Sequence, residues 1–539
     1  MKTNASSHSN LNDFFAERVE KFADKPALTC LGHTLSYREL DNHATDFATF
    51  LQRDLGLQPG DKIAIQLPNL LQYPVVVIAA MKVGLVVVNT NPLYTRRELD
   101  HQFSDARVKA VVVLADLVGN VAAVQQDTGL EHVIITEVGD LHPPLKRGLI
   151  NGFMKIKRLF RNIARPRNTV TFNRALALGR TGTPLTVARK ADDLALLQYT
   201  GGTTGLSKGA MLTHANLLSN IRQVEHVLGD VLVEGEEVIV APLPIYHIFA
   251  FMLCMLLGVG VGARLILIPD PRNMKAFVKA LQGLPVTFFA GLNTLFNALC
   301  RNEGFRQLDF STLRLTVSGG MALTKDTAER WQQVTGCRIV EGYGLTEASP
   351  VVAINPVSDP RLGTVGKLLP DTELRLLDSE GQPVAEGKPG ELWIRGPQVM
   401  AGYWQRPDAT LEMLDHQGWL HTGDVAVLDN DGYLTIVDRI KDMIVVSGFN
   451  VYPNELEDEI SKHPDVIECA AVGVPDPDTV EAVKLFVVSG NPNLTADDIR
   501  HFARKSLTAY KVPKQVEFID ELPKSNVGKV LRRELRDNK

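Results

Sequence analysis

Short apolar runs rich in β-branched residues recur at 62–67, 110–114, 238–242, 265–269, 286–290 and 313–318, and the sequence between them carries helical spacing. Strands that alternate with helices pair in parallel, and a parallel sheet is covered on both faces, so this rhythm predicts α/β layers. After about residue 363 the texture changes to short strands and tight turns, at 372–377, 379–381, 391–395 and 429–432, which predict a small antiparallel barrel or sheet. From 440 onward helix and strand patterns alternate over a compact stretch (453–463, 466–474, 483–489, 496–506), as in a separate α+β domain. The join, Val437-Asp438-Arg439-Ile440-Lys441-Asp442, is charged and reads either as a hinge or as a solvated turn.

With 539 residues, 45% of them hydrophobic and 22% charged, the chain can bury a large core. A disordered chain, a fibre and a single small binding module are excluded. There are 57 Lys and Arg against 62 Asp and Glu, a net charge of −5, so no overall positive field draws the chain to nucleic acid and any anion site is local. Five cysteines, Cys30, Cys254, Cys300, Cys337 and Cys469, are odd in number and form no C-x-x-C pair, which argues against a disulfide scaffold and a zinc module. The first residues, MKTNASSHSNLNDFF, lack the apolar core of a secretory signal, and a cytoplasmic location is expected. The longest apolar run, 248–263, is closed by Arg264 and is shorter than the roughly 20 residues of a spanning helix, so it predicts a buried helix.

One segment stands apart. Residues 141–167 hold Lys146, Arg147, Lys155, Lys157, Arg158, Arg161, Arg165 and Arg167 with no acidic residue, while Leu149, Ile150, Phe153, Ile156, Phe160 and Ile163 recur at near-helical spacing. A basic amphipathic helix of this kind either lies on an anionic membrane surface or packs its apolar stripe on its own domain.

The strongest local signal is Tyr199-Thr200-Gly201-Gly202-Thr203-Thr204-Gly205-Leu206-Ser207-Lys208-Gly209. A backbone free to bend, several hydroxyls and one cation suit a polyphosphate. It is not a Walker A loop: Ser207 precedes Lys208 and Gly209 follows it, so the magnesium-binding group comes from elsewhere or is a carboxylate. Downstream, in order, stand Pro244-Ile245-Tyr246-His247, Ser318-Gly319-Gly320-Met321, Glu341-Gly342-Tyr343-Gly344-Leu345-Thr346-Glu347, Gly418-Trp419-Leu420-His421-Thr422-Gly423-Asp424, Asp438-Arg439 and Pro523-Lys524-Ser525-Asn526-Val527-Gly528-Lys529. Taken singly, each has a plain structural reading: Tyr343 and His247 as core residues, Glu347 as a surface carboxylate.

Taken together, from about Phe14 to Lys529, these motifs resemble the adenylate-forming (ANL) superfamily and, within it, the bacterial long-chain fatty acyl-CoA synthetases. The resemblance implies an α/β fold with an N-terminal adenylation domain, 1–439, of two layered subdomains and a small β-barrel at about 363–437, and a mobile C-terminal α+β domain, 440–539. It implies ATP-dependent ligation of a long-chain fatty acid to CoA through an acyl-adenylate, with Mg2+ as cofactor and ATP and CoA as co-substrates. Thr200, Gly201, Gly202, Thr203, Thr204, Gly205 and Lys208 would hold the phosphates. Glu347, with Thr200, would bind the metal. Gly319, Gly320 and Tyr343 would form the adenine slot, Gly344 and Thr346 would belong to the ATP- and AMP-binding set, and Asp424, supported by Arg439, would take the ribose hydroxyls. His247 would orient the substrate carboxylate, and Lys529 would bridge it to the α-phosphate. Lys441 would be the hinge, and Val446, Ser447, Gly448 and Phe449 would face CoA. The cationic balance of 500–539, 11 Lys and Arg against 5 Asp and Glu, suits that polyanion. A relative acting on medium-chain or aryl acids, or on a carrier protein, is the alternative enzyme. A light-producing oxidase and a nucleotide-dependent lipid-binding module are more remote. A peripheral position on the cytoplasmic face of the inner membrane through 141–167, and a homodimer, are left open.

Overall fold

The computed structural model describes residues 8–158, 164–185, 187–200, 207–524 and 530–537. Of the expected site residues, Gly201, Gly202, Thr203, Thr204, Gly205 and Lys529 lie outside these, as do Phe160, Arg161 and Ile163 of the basic segment.

Two large sheets form the first part of the chain. The seven-stranded sheet runs, in spatial order, Thr169–Thr171, His132–Thr136, Val108–Leu114, Lys62–Gln66, Val86–Asn89, Leu194–Thr200, Lys208–Thr213. All its pairs are parallel except the last, where Leu194–Thr200 and Lys208–Thr213 are antiparallel and Thr200 faces Lys208. The nine-stranded sheet has a parallel centre, from Ile339–Gly344 through Leu315–Ser318, Phe288–Gly291, Val238–Ala241 and Arg264–Leu267 to Pro26–Cys30, with antiparallel strands at both edges. Val86–Asn89 and Val238–Ala241 are buried at every residue, which is why such strands read as unbroken apolar runs.

The 248–263 run is buried, as expected, but not as one regular helix. A short α-turn, Ile248–Ala250, passes into a π-helical stretch, Phe251–Leu256, and then into Leu257–Gly260, every residue from Ala250 to Gly260 being buried. The β-rich stretch is an open four-stranded antiparallel sheet, Glu373–Leu377, Gly390–Arg395, Leu420–Leu428, Leu434–Arg439, and not the expected barrel. Four strands enclose too little interior to close on themselves.

A five-stranded sheet follows: Phe449–Val451, Ile444–Val446, Val480–Ser489 and Val466–Asp476, with Gln515–Phe518 added in parallel to Val480–Ser489. Helices Pro453–Ile460 and Ala496–Ala503 pack on it around Ile444, Leu456, Ile460, Leu485 and Ile499.

Candidate active site

The Thr/Gly loop springs from the antiparallel edge of the seven-stranded sheet, with Thr200 ending one strand and Lys208 opening the next. Its base is pinned from two sides. Met211 N donates to Gly402 O at 2.9 Å, Ala401 N donates to Met211 O at 3.0 Å, and Trp404 N donates to Gly209 O at 2.8 Å. On the other side, helix Arg96–Ala106 brings His101, whose Nε2 lies 2.7 Å from Ser207 O, and Asp105, which accepts from Tyr199 OH at 2.7 Å and pairs with Arg406 at 2.7 Å. Sequence reading missed His101 and Asp105; their i, i+4 spacing on a charged helix is indistinguishable from a solvated face.

Lys208 Nζ lies 5.2 Å from the centre of the Tyr403 ring, and Tyr403 OH donates to Glu347 Oε1 at 2.6 Å. Burial and the neighbouring Glu347 carboxylate push the Tyr403 phenol well up, so it stays a donor. Glu347 sits on the 3-10 turn Thr346–Ala348, directly after the strand Ile339–Gly344. Gly344 precedes that turn because nothing larger fits: a Cβ there would stand 2.1 Å from the Pro350 carbonyl oxygen. The hard oxygens of Glu347 and Thr200 suit Mg2+. Among the described residues no group of three or more His, Cys, Asp or Glu gathers to hold a metal. One carboxylate plus substrate phosphates and water is the usual magnesium arrangement, and the donor set fits it.

On the strand itself, Tyr343 OH donates to Asp424 Oδ2 at 2.5 Å, and Arg439 Nε stands 3.1 Å from Asp424 Oδ1. Asp424 and Arg439 are cross-strand partners in the four-stranded sheet, so pairing register alone brings them together. Asp424 is 3% exposed, and burial and its charge drive the Tyr343 phenol far up. Gly319 and Gly320 follow the strand Leu315–Ser318; Gly320 has φ +79°, and a Cβ on Gly319 would press within 3.0 Å of the Phe249 ring. Phe249 N in turn donates to His247 Nδ1 at 3.4 Å, placing the His247 turn against the glycine pair. The Ser318 hydroxyl is buried with no partner among the described residues. Glu341, another residue not singled out, is buried one strand over; burial pushes its carboxyl up to about 7 and it accepts from Gly363 N at 3.2 Å.

The join after Arg439 is built rather than loose. Asp438, 1% exposed, accepts from Arg439 N at 2.8 Å and from Asn454 N at 2.9 Å, capping the helix Pro453–Ile460 from across the join. Lys441 is exposed on the turn Ile440–Asp442, and its carbonyl accepts from Arg536 at 3.4 Å. Ser447 (φ +50°) and Gly448 (φ +82°) make a two-residue hairpin turn with both φ positive, a form that favours Gly. Phe449, 55% exposed, stacks on Tyr510 at 4.8 Å, whereas the Val446 side chain is buried in the sheet's core. Val446 therefore offers a ligand its backbone only.

Residues 15–404 match the AMP-binding enzyme family and residues 455–529 match the AMP-binding enzyme C-terminal domain. The chain is 49% identical to a long-chain-fatty-acid–CoA ligase of Escherichia coli O157:H7 over 99% of its own length and 95% of the relative's. It is 35% identical to a protein of the same name from Bacillus subtilis, over 98% and 94%. Among solved structures, ATP-bound MatB from Rhodopseudomonas palustris is 30% identical with a TM-score of 0.84, each chain covered to 98%. The anthranilate CoA ligase AuaEII in complex with anthranoyl-AMP is 25% identical with a TM-score of 0.85, over 98% of this chain and 96% of that one. With residues 15–404, well over half of the chain, matching that family and residues 455–529 matching its C-terminal domain, the chain belongs to the AMP-binding enzyme family.

Proposed function

We propose that this protein is a long-chain fatty acid–CoA ligase that forms an acyl-adenylate from ATP and then the thioester, with residues 1–439 as the adenylating domain and 440–539 as the domain that moves. The observation that carries the reading is the buried Asp424 carboxylate, held by Tyr343 and Arg439 beside a glycine pair and the orphaned Ser318 hydroxyl. A carboxylate so placed accepts from vicinal ribose hydroxyls, while Gly319 and Gly320 let a purine approach the backbone and Tyr343 supplies a ring to stack on it.

In the first step a carboxylate oxygen of the acid attacks the α-phosphorus and pyrophosphate leaves. His247 orients that carboxylate, and the buried run behind it, Phe251–Leu256, gives the acyl chain an apolar route. Lys529 bridges the attacking oxygen and the α-phosphate as charge grows there. Lys208 and the loop after Thr200 hold the leaving phosphates. Glu347 and Thr200 would hold Mg2+, which would supply neutralising charge to those phosphates. Rotation about Lys441 then withdraws Lys529 and brings the Val446–Phe449 hairpin to the site, where the CoA thiolate attacks the acyl carbon and AMP leaves. A long-chain acid partitions into membranes, and we place the enzyme peripherally on the cytoplasmic face of one.

Purified protein with MgATP, CoA and saturated acids of graded length is expected to make AMP and acyl-CoA best from long chains. Lys529→Ala is expected to lower the first step by roughly 10²–10³. Adenylate without thioester would move the reading to a carrier-protein acceptor, and no adenylate from any acid would end it.

A further inference from the structure

A surface helix on a globular domain turns its apolar stripe inward. The helix Pro144–Arg158 does the reverse. Its inner face, where Ile150 lies half-buried beside Gly139, is tied down by polar groups: Asn151 Oδ1 accepts from Gly139 N at 2.8 Å and its amide donates to Asp140 at 3.1 Å. Arg158 pairs with Asp116 at 2.9 Å and with Glu137, and Lys146 donates to the Leu31 carbonyl. Its outer face carries Leu145, Leu149, Phe153 and Ile156, which are 87%, 77%, 59% and 61% exposed, and no residue of the helix is buried.

At 100° per residue these four fall within one narrow stripe, with Lys155 on one flank and Lys157 on the other, next to Lys146 on its tie to the Leu31 carbonyl. The Lys157 ammonium lies 4.6 Å from the centre of the Phe153 ring, its stem running along the stripe. No Asp or Glu occurs from 141 to 167, in a chain whose net charge is −5. Of the two readings open for this segment, packing on the domain is therefore not what Leu145, Leu149, Phe153 and Ile156 do.

We propose that this face is a docking surface for an anionic lipid bilayer, the four apolar side chains entering the acyl boundary and Lys155 and Lys157 lying at phosphate level. The inference rests on the peripheral position proposed above and names the residues that create it. A second copy of the chain fits the face poorly, because a twofold contact would set lysine rim against lysine rim with no carboxylate in the segment to pair them. Ties from Asn151 and Arg158 hold the stripe outward in advance, so docking needs no rearrangement.

The test is flotation of the full chain with phosphatidylcholine vesicles with and without phosphatidylglycerol. Wild type is expected to float with the anionic vesicles and to be released by salt. L149E/F153E is expected to bind more than roughly 100-fold more weakly, since two apolar anchors are lost. K155A/K157A is expected to lose roughly 30-fold. Both variants keep wild-type turnover of a short acid in free solution, because these side chains touch nothing in the active site, while turnover of vesicle-held long-chain acid falls. If wild type floats and L149E/F153E floats equally, the helix assignment is overturned and the peripheral position stands. Failure of wild type to bind any vesicle overturns both. Conversion of a lipid-free dimer to a monomer by L149E/F153E would assign the face to a second copy and refute the proposal.

Discussion

Arg532 lies three residues beyond Lys529, and its guanidinium is the cation of a nearly dry cluster. It stands 2.8 Å from Glu457, 2.9 Å from Asn454 Oδ1 and 3.8 Å from Asp442, and the Arg532 and Glu457 side chains are 16% and 19% exposed. Burial pushes the Glu457 carboxyl up to about 7 even though Arg532 draws it down, and Glu457 also accepts from Ala471 N at 2.7 Å. Arg532→Ala strands that carboxylate. Removing one partner of a buried pair costs about 3–5 kcal/mol, and the residual exposure here points to the lower end, about 3 kcal/mol.

The sign with pH follows from the same carboxyl. A folded-state value above the unfolded one means that the folded protein binds the extra proton, so stability falls as pH rises through that value. Without Arg532 the value moves further up, and the variant's deficit grows from pH 6 to pH 9 by about 1.4 kcal/mol for each unit of the move. Below pH 6 both proteins hold a neutral Glu457 and the deficit shrinks to the loss of the Asn454 and Asp442 contacts, about 1 kcal/mol. Amide exchange of Ala471 and its strand, corrected for intrinsic rates, reads this directly. Glu457→Gln in the same chain is expected to restore most of the loss. A deficit under about 1 kcal/mol at high pH, or one that does not change with pH, would refute the reasoning.

Four further outcomes are expected. Burial holds His142 and His214 down at about 4, the latter with its Nδ1 accepting from Leu11 N, so stability falls as pH drops from about 6.5 to 4 by up to about 3 kcal/mol for each; His214→Gln flattens that slope in thermal melts, and an unchanged slope would count against it. Tyr403→Phe frees Glu347 from its donor and is expected to raise the Mg2+ needed for pyrophosphate exchange about tenfold; an identical magnesium titration would sink the link. Gly344→Ala forces the backbone off the Pro350 carbonyl and is expected to cost about 1–3 kcal/mol, more than Gly448→Ala, where a Cβ meets open space; equal losses on denaturation would contradict this. Asn454→Ala removes the bonds to the Val437 carbonyl and to Arg532, and is expected to shift the domain equilibrium roughly 5–30-fold, read by an interdomain distance probe.

The parallel strands were legible because burial on both faces leaves an unbroken apolar signature, and Lys62–Gln66 and Val238–Ala241 lie where the runs place them. The same burial hid the π-helical stretch Phe251–Leu256, since a segment apolar all round carries no period. The stripe on Pro144–Arg158 was visible, but its direction was not: that depends on Asp116, Glu137 and Asp140, which come from other strand ends. Tyr343, Glu347 and Asp424 could be named from motifs. Their mutual bonding, and the supporting Tyr403, His101 and Asp105, could not, because each of those contacts joins segments far apart in the chain and has no local spacing to betray it.

Asp424, which we propose takes the ribose, is tied to the strand that leads directly into the proposed hinge. Arg439 faces Asp424, its neighbour Asp438 holds Asn454 N, and Asn454 holds the Val437 carbonyl and Arg532. Ribose hydroxyls that take up lone pairs of Asp424 compete with Tyr343 and Arg439 for the same two oxygens, so occupancy changes the charge balance next to the cap of the helix Pro453–Ile460. Rotation about Lys441 would break the bonds between Asn454 and residues 437–438, each worth about 1 kcal/mol net. That total is small beside the differential affinity a nucleotide or CoA can exert between two states, so the proposed hinge would be firm enough to hold this position and weak enough for each substrate in turn to displace it.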